Sequence, residues 1–203
     1  MKLIECPRDA MQGLHEFIPT ALKAEYINKL LKVGFDTIDF GSFVSPKAIP
    51  QLKDTVQVLE KLNLSDSGSK LLAIVANLRG VKEAVLHPQI SYLGFPFSVS
   101  ETFQQRNTNS GIADSLNTIE ELVNICNNHD KTAVVYLSMG FGNPYGDVWS
   151  NEIVEHLASE LVQRGVKILS LADTIGVSTP EKINYLFPYL VKQFPAISSL
   201  LEV

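Results

Sequence analysis

Short apolar runs alternate with longer amphipathic segments along the whole chain, and this alternation restricts the fold more than any other feature. The short runs are rich in Ile, Val and Leu and contain few charges, which is typical of strands covered on both faces. Strands that alternate with helices predict a parallel sheet with right-handed crossovers. The predicted strands are Lys2–Cys6, Thr37–Phe40, Lys70–Val75, Ile90–Gly94, Thr132–Ser138, Lys167–Leu171 and Ser198–Val203.

The segments between these runs carry apolar residues at the three- and four-residue spacing of an amphipathic helix. Gly34 suits the position after a helix C-terminus, and Thr179 followed by Pro180 is a typical N-cap and first-turn pair. The predicted helices are Thr20–Val33, Pro46–Leu62, Leu78–Leu86, Gly111–Cys126, Asn151–Arg164 and Pro180–Gln193.

Two architectures agree with this order of elements: an open doubly wound sheet and a (β/α)8 barrel. No linker or low-complexity segment divides the chain, so a single domain over residues 1–203 is predicted. An eight-unit barrel typically needs about 250 residues. The 203 residues provide seven predicted strands and no helix after the last of them.

Charge and composition exclude several classes of function. The chain has 17 basic and 22 acidic side chains and a net charge of -5, which argues against non-specific nucleic-acid binding. Cys6 and Cys126 are far apart and form no disulfide framework. No apolar run reaches the roughly 18–20 residues of a membrane span, and the N-terminus has no signal-peptide pattern. A cytoplasmic protein that handles small molecules is expected, without nucleic acid or membrane as partner.

Polar side chains follow four of the predicted strands at their carboxyl ends, where parallel α/β folds bind ligands. Each of these residue types also starts loops and caps helices, so any one position alone is as compatible with loop structure as with function. Their recurrence at the same end of four strands favours a functional site. The residues are Arg8 and Asp9, Asp39 and Ser42, Ser138 and Asn143, and Asp173 and Thr174.

Three of these side chains are carboxylates. Asp9, Asp39 and Asp173 would repel one another at a shared mouth unless a cation lies among them. Together with Arg8 they indicate a hard divalent metal or a strongly polar substrate. Other chemistry has little support, because the chain contains no phosphate-binding glycine motif, no GxSxG nucleophile motif and no paired zinc-ligand spacing.

Five blocks resemble the hydroxymethylglutaryl-CoA lyase family, whose members are metal-dependent aldol lyases on a TIM barrel. Glu5–Gln12 resembles the Arg-Asp-Gly-x-Gln motif of the first strand. Ser42–Gln51 is more specific, because it resembles the lyases rather than the isopropylmalate and homocitrate synthases. The other blocks are Ser100–Phe103 with Asn107–Asn109, Gly142–Tyr145 and Ser170–Pro180, and the resemblance covers essentially the whole chain in the right order.

The resemblance implies a TIM (β/α)8 barrel, here incomplete with about seven parallel strands. It also implies cleavage of 3-hydroxy-3-methylglutaryl-CoA to acetyl-CoA and acetoacetate, a step of leucine catabolism, with Mg²⁺ or Mn²⁺ as cofactor. An acyl-CoA is then the substrate, and a homodimer is compatible with this class of barrel. The same fold also serves sister Claisen-type acyltransferases, and a non-catalytic ligand- or partner-binding protein that kept the fold is a further alternative.

Roles for individual residues follow from the same resemblance. Asp9 is implied as a metal ligand, and Arg8 as the group that stabilises developing negative charge on the substrate. Asp39 stands where the family usually has Glu and would orient the metal or a water. Asp173 would assist polar positioning or proton transfer near the substrate hydroxyl. The implied substrate contacts are Arg8, Gln12, Ser42, Ser138, Asn143 and Thr174.

The chain departs from the family pattern at several points. Ala10 replaces the motif glycine and would be strained if that position needs a positive φ. Asn143 stands where the family often has cysteine. The family's His-x-His ligand pair at the end of strand seven would lie beyond Val203. The resemblance therefore predicts an N-terminal piece of a longer chain, with little lyase activity in these 203 residues alone.

Overall fold

The computed structural model describes residues 2–202, in which strands and helices alternate as the sequence predicts. Contacts divide the chain into two compact units, residues 1–93 and 94–203. Each unit is an alternation of strand and helix with its own buried apolar core. The expectation of a single domain over residues 1–203 stays a prediction.

The first unit contains three strands in the order β1-β2-β3. Both pairings are parallel, and the register between β2 and β3 shifts between Asp39 and Gly41. Such a bulge re-aims side chains at a strand end. The elements are β1 (Ile4–Glu5), α1 (Pro7–Gln12), α2 (Thr20–Leu30), β2 (Thr37–Ser42), a 3-10 helix (Pro50–Leu52), α3 (Thr55–Leu59), β3 (Lys70–Ile74) and α4 (Leu78–Ala84).

The second unit continues the same alternation, with β5 pairing in parallel with β6 and β6 with β7. The elements are β4 (Ile90–Ser98), whose first four residues belong to the first unit, α5 (Glu101–Thr108), α6 (Ile112–Asn128), β5 (Thr132–Ser138), α7 (Asn151–Gln163), β6 (Ile168–Ala172), α8 (Pro180–Gln193) and β7 (Ser198–Glu202). Thr179 caps α8 by accepting a hydrogen bond from the Lys182 N–H, as its sequence position predicts. Among residues 2–202, no helix is long and apolar enough to cross a bilayer.

The continuous helix predicted over Pro46–Leu62 is wrong. That segment forms turns, the 3-10 helix and the short α3. Pro50 has no N–H to donate, and it holds Ile49 outside the helical region, with φ -131° and ψ 83°. The apolar residues Val58 and Leu59 of the predicted pattern are nevertheless buried, within α3.

Two helices were not predicted. The helix α1 is only six residues long and contains Ala10, so this position is helical and the replacement of the family's glycine carries no positive-φ strain. The helix α5 is mostly polar and has no apolar stripe to mark it. The sequence feature that marks the start of α5 is its N-cap, Ser100, whose hydroxyl accepts a hydrogen bond from the N–H of Phe103.

The two cysteines differ in their surroundings. Cys126 lies on the inner face of α6 and is buried, whereas Cys6 is half-buried. Burial raises the pKa of the Cys126 thiol to about 12, although the charge of nearby Lys131 acts in the opposite direction. A thiol with this pKa is almost fully protonated at mildly alkaline pH and is therefore a poor nucleophile.

We expect Cys126 to react with a thiol reagent only after unfolding. In the Cys6→Ser variant, mixing with Ellman's reagent at mildly alkaline pH should release almost no colour from the native protein. Unfolding in concentrated guanidinium should then make one thiol per chain reactive toward the reagent. The Cys126→Ala variant is the matched control for the remaining thiol, and rapid native labelling of Cys126 would contradict the prediction.

Candidate active site

An ion pair in the first unit joins two of the predicted catalytic residues. Arg8 lies in the first turn of α1, directly after β1, and Asp39 lies on β2. The guanidinium donates from Nε and Nη2 to Asp39 Oδ2 at 3.0 and 2.5 Å. The Asp39 side chain is 0% exposed and the Arg8 side chain 11%. Both charges are therefore shielded from water and depend on each other.

Asp9 and Gln12 complete this cluster on the other side of Arg8. Arg8 Nη1 donates to Asp9 Oδ1 at 2.9 Å and to Gln12 Oε1 at 3.0 Å. Gln12 Nε2 also donates to Asp9 Oδ1, at 2.7 Å. Arg8 and Gln12 can meet because they are four residues apart on one face of α1. The Asp9 side chain remains 55% exposed, so its second oxygen can reach a ligand.

One oxygen of Asp39 has unusual surroundings. Oδ1 is buried and has no hydrogen-bond partner within the described residues. Burial raises the pKa of the Asp39 carboxyl, and the charge of Asp9 adds to this effect, whereas Arg8 opposes it. A buried carboxylate oxygen without a donor is costly. It is therefore suited to a ligand that brings a hydroxyl, a water or a cation.

Ser42, predicted as a substrate contact, is buried at the end of β2. Its hydroxyl donates to the Ile74 carbonyl at 3.3 Å and accepts from the Val44 N–H at 3.2 Å. Its own N–H donates to Thr55 Oγ1. These bonds tie the end of β2 to the end of β3, so the structure gives Ser42 a framework role, and substrate contact stays a prediction.

Asp173 in the second unit holds its own loop together. Oδ1 accepts from the Val177 N–H at 2.9 Å and Oδ2 from the Ser178 N–H at 2.8 Å. Partial burial acts to raise the pKa of this carboxyl, but the hydrogen bonds from Ser178, Val177 and Gly176 outweigh it and leave the pKa lowered. The side chain is thus ionised and fixed. Its catalytic role stays a prediction.

Thr174 and Ser138 lie at the ends of neighbouring strands β6 and β5. Thr174 Oγ1 accepts from the Met139 N–H at 2.8 Å. Met139 needs this support because it adopts a left-handed backbone with φ 57°. The buried Ser138 accepts from the Val99 N–H through its carbonyl. Thr174 therefore bonds to the residue that directly follows Ser138, and this bond brings the two predicted contacts close together.

Asn143 organises the loop that follows β5. Its Oδ1 accepts from the N–H groups of Tyr145 and Asp147 at 3.0 and 3.1 Å, and its Nδ2 donates to the Asp147 carbonyl at 2.9 Å. Both ends of the Asn143 side-chain amide therefore form hydrogen bonds within this loop. A cysteine at this position could not make the same set of bonds.

Asp147 is a residue that the sequence did not single out. Its carboxylate accepts from Ser100 Oγ at 2.5 Å and from the N–H and Oγ1 of Thr102 at 2.9 and 2.8 Å. These bonds join the loop after β5 to the first turn of α5. They lower the pKa of Asp147, with the Ser100 hydrogen bond as the largest cause. The partners are 45 and 47 residues away in sequence, so no local pattern could have revealed them.

Asp147 is expected to make stability depend on pH. Because its folded-state pKa is below the ordinary value, the ionised carboxylate stabilises the fold at neutral pH. This contribution disappears as the pH falls through the lowered pKa. In urea unfolding, Asp147→Asn should therefore be less stable than wild type at neutral pH, and the two should converge in acid. Asp66→Asn, at an exposed turn, is the control and should lose little stability at neutral pH. A deficit of Asp147→Asn that stays constant as the pH falls would contradict the prediction.

The described residues do not complete a metal site. Among residues 2–202, no group of three or more His, Cys, Asp or Glu side chains could hold a metal ion. Asp9 has suitable chemistry, with a half-exposed carboxylate, whereas the Asp39 side chain is 0% exposed and only its Oδ1 is not bonded to Arg8. Mg²⁺ needs about six ligands, mostly oxygens. The side chains present therefore do not hold such an ion by themselves.

The second unit also contains an open groove of about 690 Å³ with mainly apolar walls. Val99, Ile112 and Leu157 contribute to these walls, and Glu152 and His156 add polar groups. None of the predicted site residues lines the groove.

The HMGL-like family model matches residues 3–201 of the chain. The chain belongs to the HMGL-like family. Curated relatives agree: hydroxymethylglutaryl-CoA lyase YngG of Bacillus subtilis is 34% identical over 94% of this chain and 63% of its own length. The cytoplasmic 3-hydroxy-3-methylglutaryl-CoA lyase of Homo sapiens is 31% identical over 96% of this chain and 52% of its own length. The HMGL-like chain thus spans less than two-thirds of either relative.

Solved structures confirm the predicted (β/α) barrel class, and residues 2–202 of the HMGL-like chain contain seven strands. The crystal structure of HMG-CoA lyase from Bacillus subtilis matches with a TM-score of 0.91 and 33% identity, over 98% of this chain and 67% of that one. An HMG-CoA lyase from Acinetobacter baumannii, solved with coenzyme A and 3-methylmalate, matches with a TM-score of 0.90 and 28% identity, over 98% and 65%.

Proposed function

We propose that this HMGL-like protein is a carbon–carbon lyase that cleaves 3-hydroxy-3-methylglutaryl-CoA, or a related 3-hydroxyacyl-CoA, to acetyl-CoA and acetoacetate. The observation that carries the proposal is the Arg8–Asp39 pair, in which a buried guanidinium is held in place and one carboxylate oxygen accepts no hydrogen bond from residues 2–202. The relatives named as lyases of this substrate support the choice of reaction.

The reaction needs a proton acceptor and a site for negative charge. In the proposal, the tertiary hydroxyl passes its proton to the Asp173 carboxylate, its oxygen becomes the ketone of acetoacetate, and the bond to the thioester α-carbon breaks. The electron pair of that bond passes to acetyl-CoA as an enolate, which then gains a proton. In the proposal, the Arg8 guanidinium stabilises the enolate oxygen, and Asp39 fixes the guanidinium through two hydrogen bonds.

Other residues are proposed as contacts for the substrate. Asp173 has both oxygens bonded to backbone N–H groups, yet each oxygen keeps a second lone pair that can accept from the substrate hydroxyl. Gln12 is bonded to Arg8 and Asp9 and can extend that cluster toward the substrate. The remaining proposed contacts are Ser42, Ser138, Asn143 and Thr174.

A divalent cation, Mg²⁺ or Mn²⁺, belongs to the proposal, with Asp9 as one ligand. When bound, such an ion makes the substrate hydroxyl easier to deprotonate. The described residues complete no ligand set for it, so the steps above use only the side chains of this chain.

An assay for both products tests the proposed reaction. The protein, produced from its complete gene, should release acetoacetate and acetyl-CoA in equal amounts from 3-hydroxy-3-methylglutaryl-CoA, and a chelator should abolish the release. Arg79→Gln, at an exposed arginine of α4, should behave as wild type, whereas Arg8→Gln should not. Binding of the thioester without any product would contradict the lyase and favour a non-catalytic binding protein.

We also propose a place in leucine catabolism and a cytoplasmic location. The relative from Homo sapiens is named as cytoplasmic, whereas a relative from Arabidopsis thaliana, 32% identical, is named as mitochondrial. Fractionation of cells that produce a tagged protein would distinguish the two. The homodimer stays a prediction, for which light scattering of the purified protein is the measurement.

A further inference from the structure

Lys182 occupies an unfavourable position for a cation. It is the third residue of α8, and a positive charge in the first turn opposes the helix dipole. Its ammonium group reaches across to another loop, where Nζ donates to the Phe141 carbonyl at 2.6 Å and lies 3.4 Å from the Val177 carbonyl. It also lies 4.7 Å from the ring centroid of Trp149. The charge is thus used for contacts outside its own helix.

Trp149 contacts the same stretch of backbone. Its indole Nε1 donates to the Gly140 carbonyl at 3.3 Å. Lys182 and Trp149 therefore take up two consecutive carbonyls, those of Gly140 and Phe141, and contact each other through a cation–π interaction. We call these two side chains the clamp.

The stretch that the clamp contacts, residues 139–142, has an unfavourable backbone. Met139 has φ 57° and Gly142 has φ 143°, both rare for residues with a side chain. Gly140 is packed so closely that an added Cβ would lie 2.6 Å from Leu171 Cδ1 and 2.9 Å from the Leu137 carbonyl oxygen. A stretch of this kind keeps its shape only when surrounding contacts impose it.

Contacts impose this shape from two sides. On the N–H side, Met139 donates to Thr174 Oγ1 at 2.8 Å and Gly140 donates to the Ala172 carbonyl at 3.1 Å. On the carbonyl side, the contacts come from the clamp. Each side anchors the stretch to a different element, since Ala172 ends β6 and Lys182 belongs to α8.

We propose that the clamp sets the position of residues 139–142 relative to the loop after β6, and that Lys182 is a positioning residue for Asn143, Asp173 and Thr174. Removal of the ammonium group leaves the Phe141 carbonyl without its Lys182 donor. It also removes the cation–π contact with Trp149 and so weakens the position of the indole against the Gly140 carbonyl. The link to substrate binding rests on the proposed function, whereas the mechanical role of the clamp does not depend on it.

Fluorescence and hydrogen exchange test the clamp, because Trp149 is the one tryptophan of the 203-residue sequence. Lys182→Met removes the charge and keeps the length of the side chain. We expect it to raise acrylamide quenching of Trp149 about twofold and amide exchange of Met139 and Gly140 about tenfold, as for loss of a charge-assisted hydrogen bond. Lys182→Arg should restore most of the protection, and Lys192→Met, at an exposed position of the same helix, should match wild type.

Several outcomes would overturn the proposal. Unchanged exchange at Met139 and Gly140 in Lys182→Met would show that the clamp does not hold the stretch, and an equal effect in Lys192→Met would assign the change to α8 as a whole. If Lys182→Met does not fold, Trp149→Phe keeps an aromatic ring without the donor and should raise exchange at the same two amides. Failure of the lyase proposal would appear only as missing acetoacetate, and the exchange data would still decide on the clamp.

Discussion

Replacement of Arg8 by glutamine is expected to lower the lyase rate about 1,000-fold, the size of effect seen when a preorganised group that stabilises developing negative charge is removed. It should also lower the free energy of unfolding by about 3–5 kcal/mol, because a buried charge loses its partner. Arg8 supplies both hydrogen bonds that Asp39 Oδ2 receives. The Asp39 side chain is inaccessible to solvent, so water cannot replace the guanidinium.

A second variant separates the two effects. When a buried ion pair is replaced by apolar residues of similar volume, stability is often kept or even raised. The double variant Arg8→Met with Asp39→Leu should therefore recover most of the stability lost in Arg8→Gln and remain inactive. Urea unfolding and the acetoacetate assay are the measurements. Activity of the double variant near that of wild type would refute the catalytic role of the pair.

Replacement of Lys23 by methionine is expected to cost about 3–5 kcal/mol of unfolding free energy, because it also leaves a buried charge without its partner. Lys23 on α2 has a side chain only 2% exposed, and its Nζ donates to Asp54 Oδ1 at 2.7 Å and to the Gln51 carbonyl. The ammonium also lies 4.1 Å from the ring centroid of Phe17. Asp54 keeps one further donor, Thr20 Oγ1, which cannot balance its charge.

Lys29 is the matched control on the same helix. It forms an ion pair with Glu25 at 2.8 Å, but its side chain is 72% exposed. Exposed pairs of this kind contribute little, so Lys29→Met should change the unfolding free energy by about 0.5 kcal/mol or less. Urea unfolding of the two variants gives the comparison directly, and equal losses would contradict the buried-pair explanation.

The Lys23 network also reaches the loop after α1. The Gln51 side chain accepts from the Ile18 N–H and donates to the carbonyls of Leu14 and Glu16. This loop follows directly on the helix that carries Arg8. Limited proteolysis should therefore cut residues 13–18 faster in Lys23→Met than in Lys29→Met, because Lys23 holds the Gln51 backbone whose side chain bonds this loop.

Much of the fold could be predicted because its signals are local. Apolar runs and helical spacing depend on neighbouring residues, and within residues 2–202 each of the seven predicted strands is found. The strand β4 continues past its predicted end at Gly94 to Ser98, and Val203, the predicted end of the last strand, lies outside the described residues. The errors have local causes as well. Pro50 interrupts an apolar pattern that otherwise looks helical, and α5 carries too few apolar residues to show a stripe.

The candidate site was partly predictable for the same reason. Arg8, Asp9 and Asp39 follow or end predicted strands, and parallel strands place such positions at one edge of a sheet. The structure brings these three together with Gln12. It also shows that the side chains of Asp173 and Asn143 support their own loops, which a position at a strand end does not reveal.

The sequence by itself determined the order of elements, the family and the residue types at the strand ends. These follow from local periodicity and from motifs of adjacent residues. The tertiary structure decided which of the polar groups are buried and which atoms they bond. Asp39 meets Arg8 across 31 positions, and Asp147 meets Ser100 across 47. The strength of each electrostatic interaction depends on such distant partners and on the exclusion of water. Neither is encoded in any short stretch of the chain.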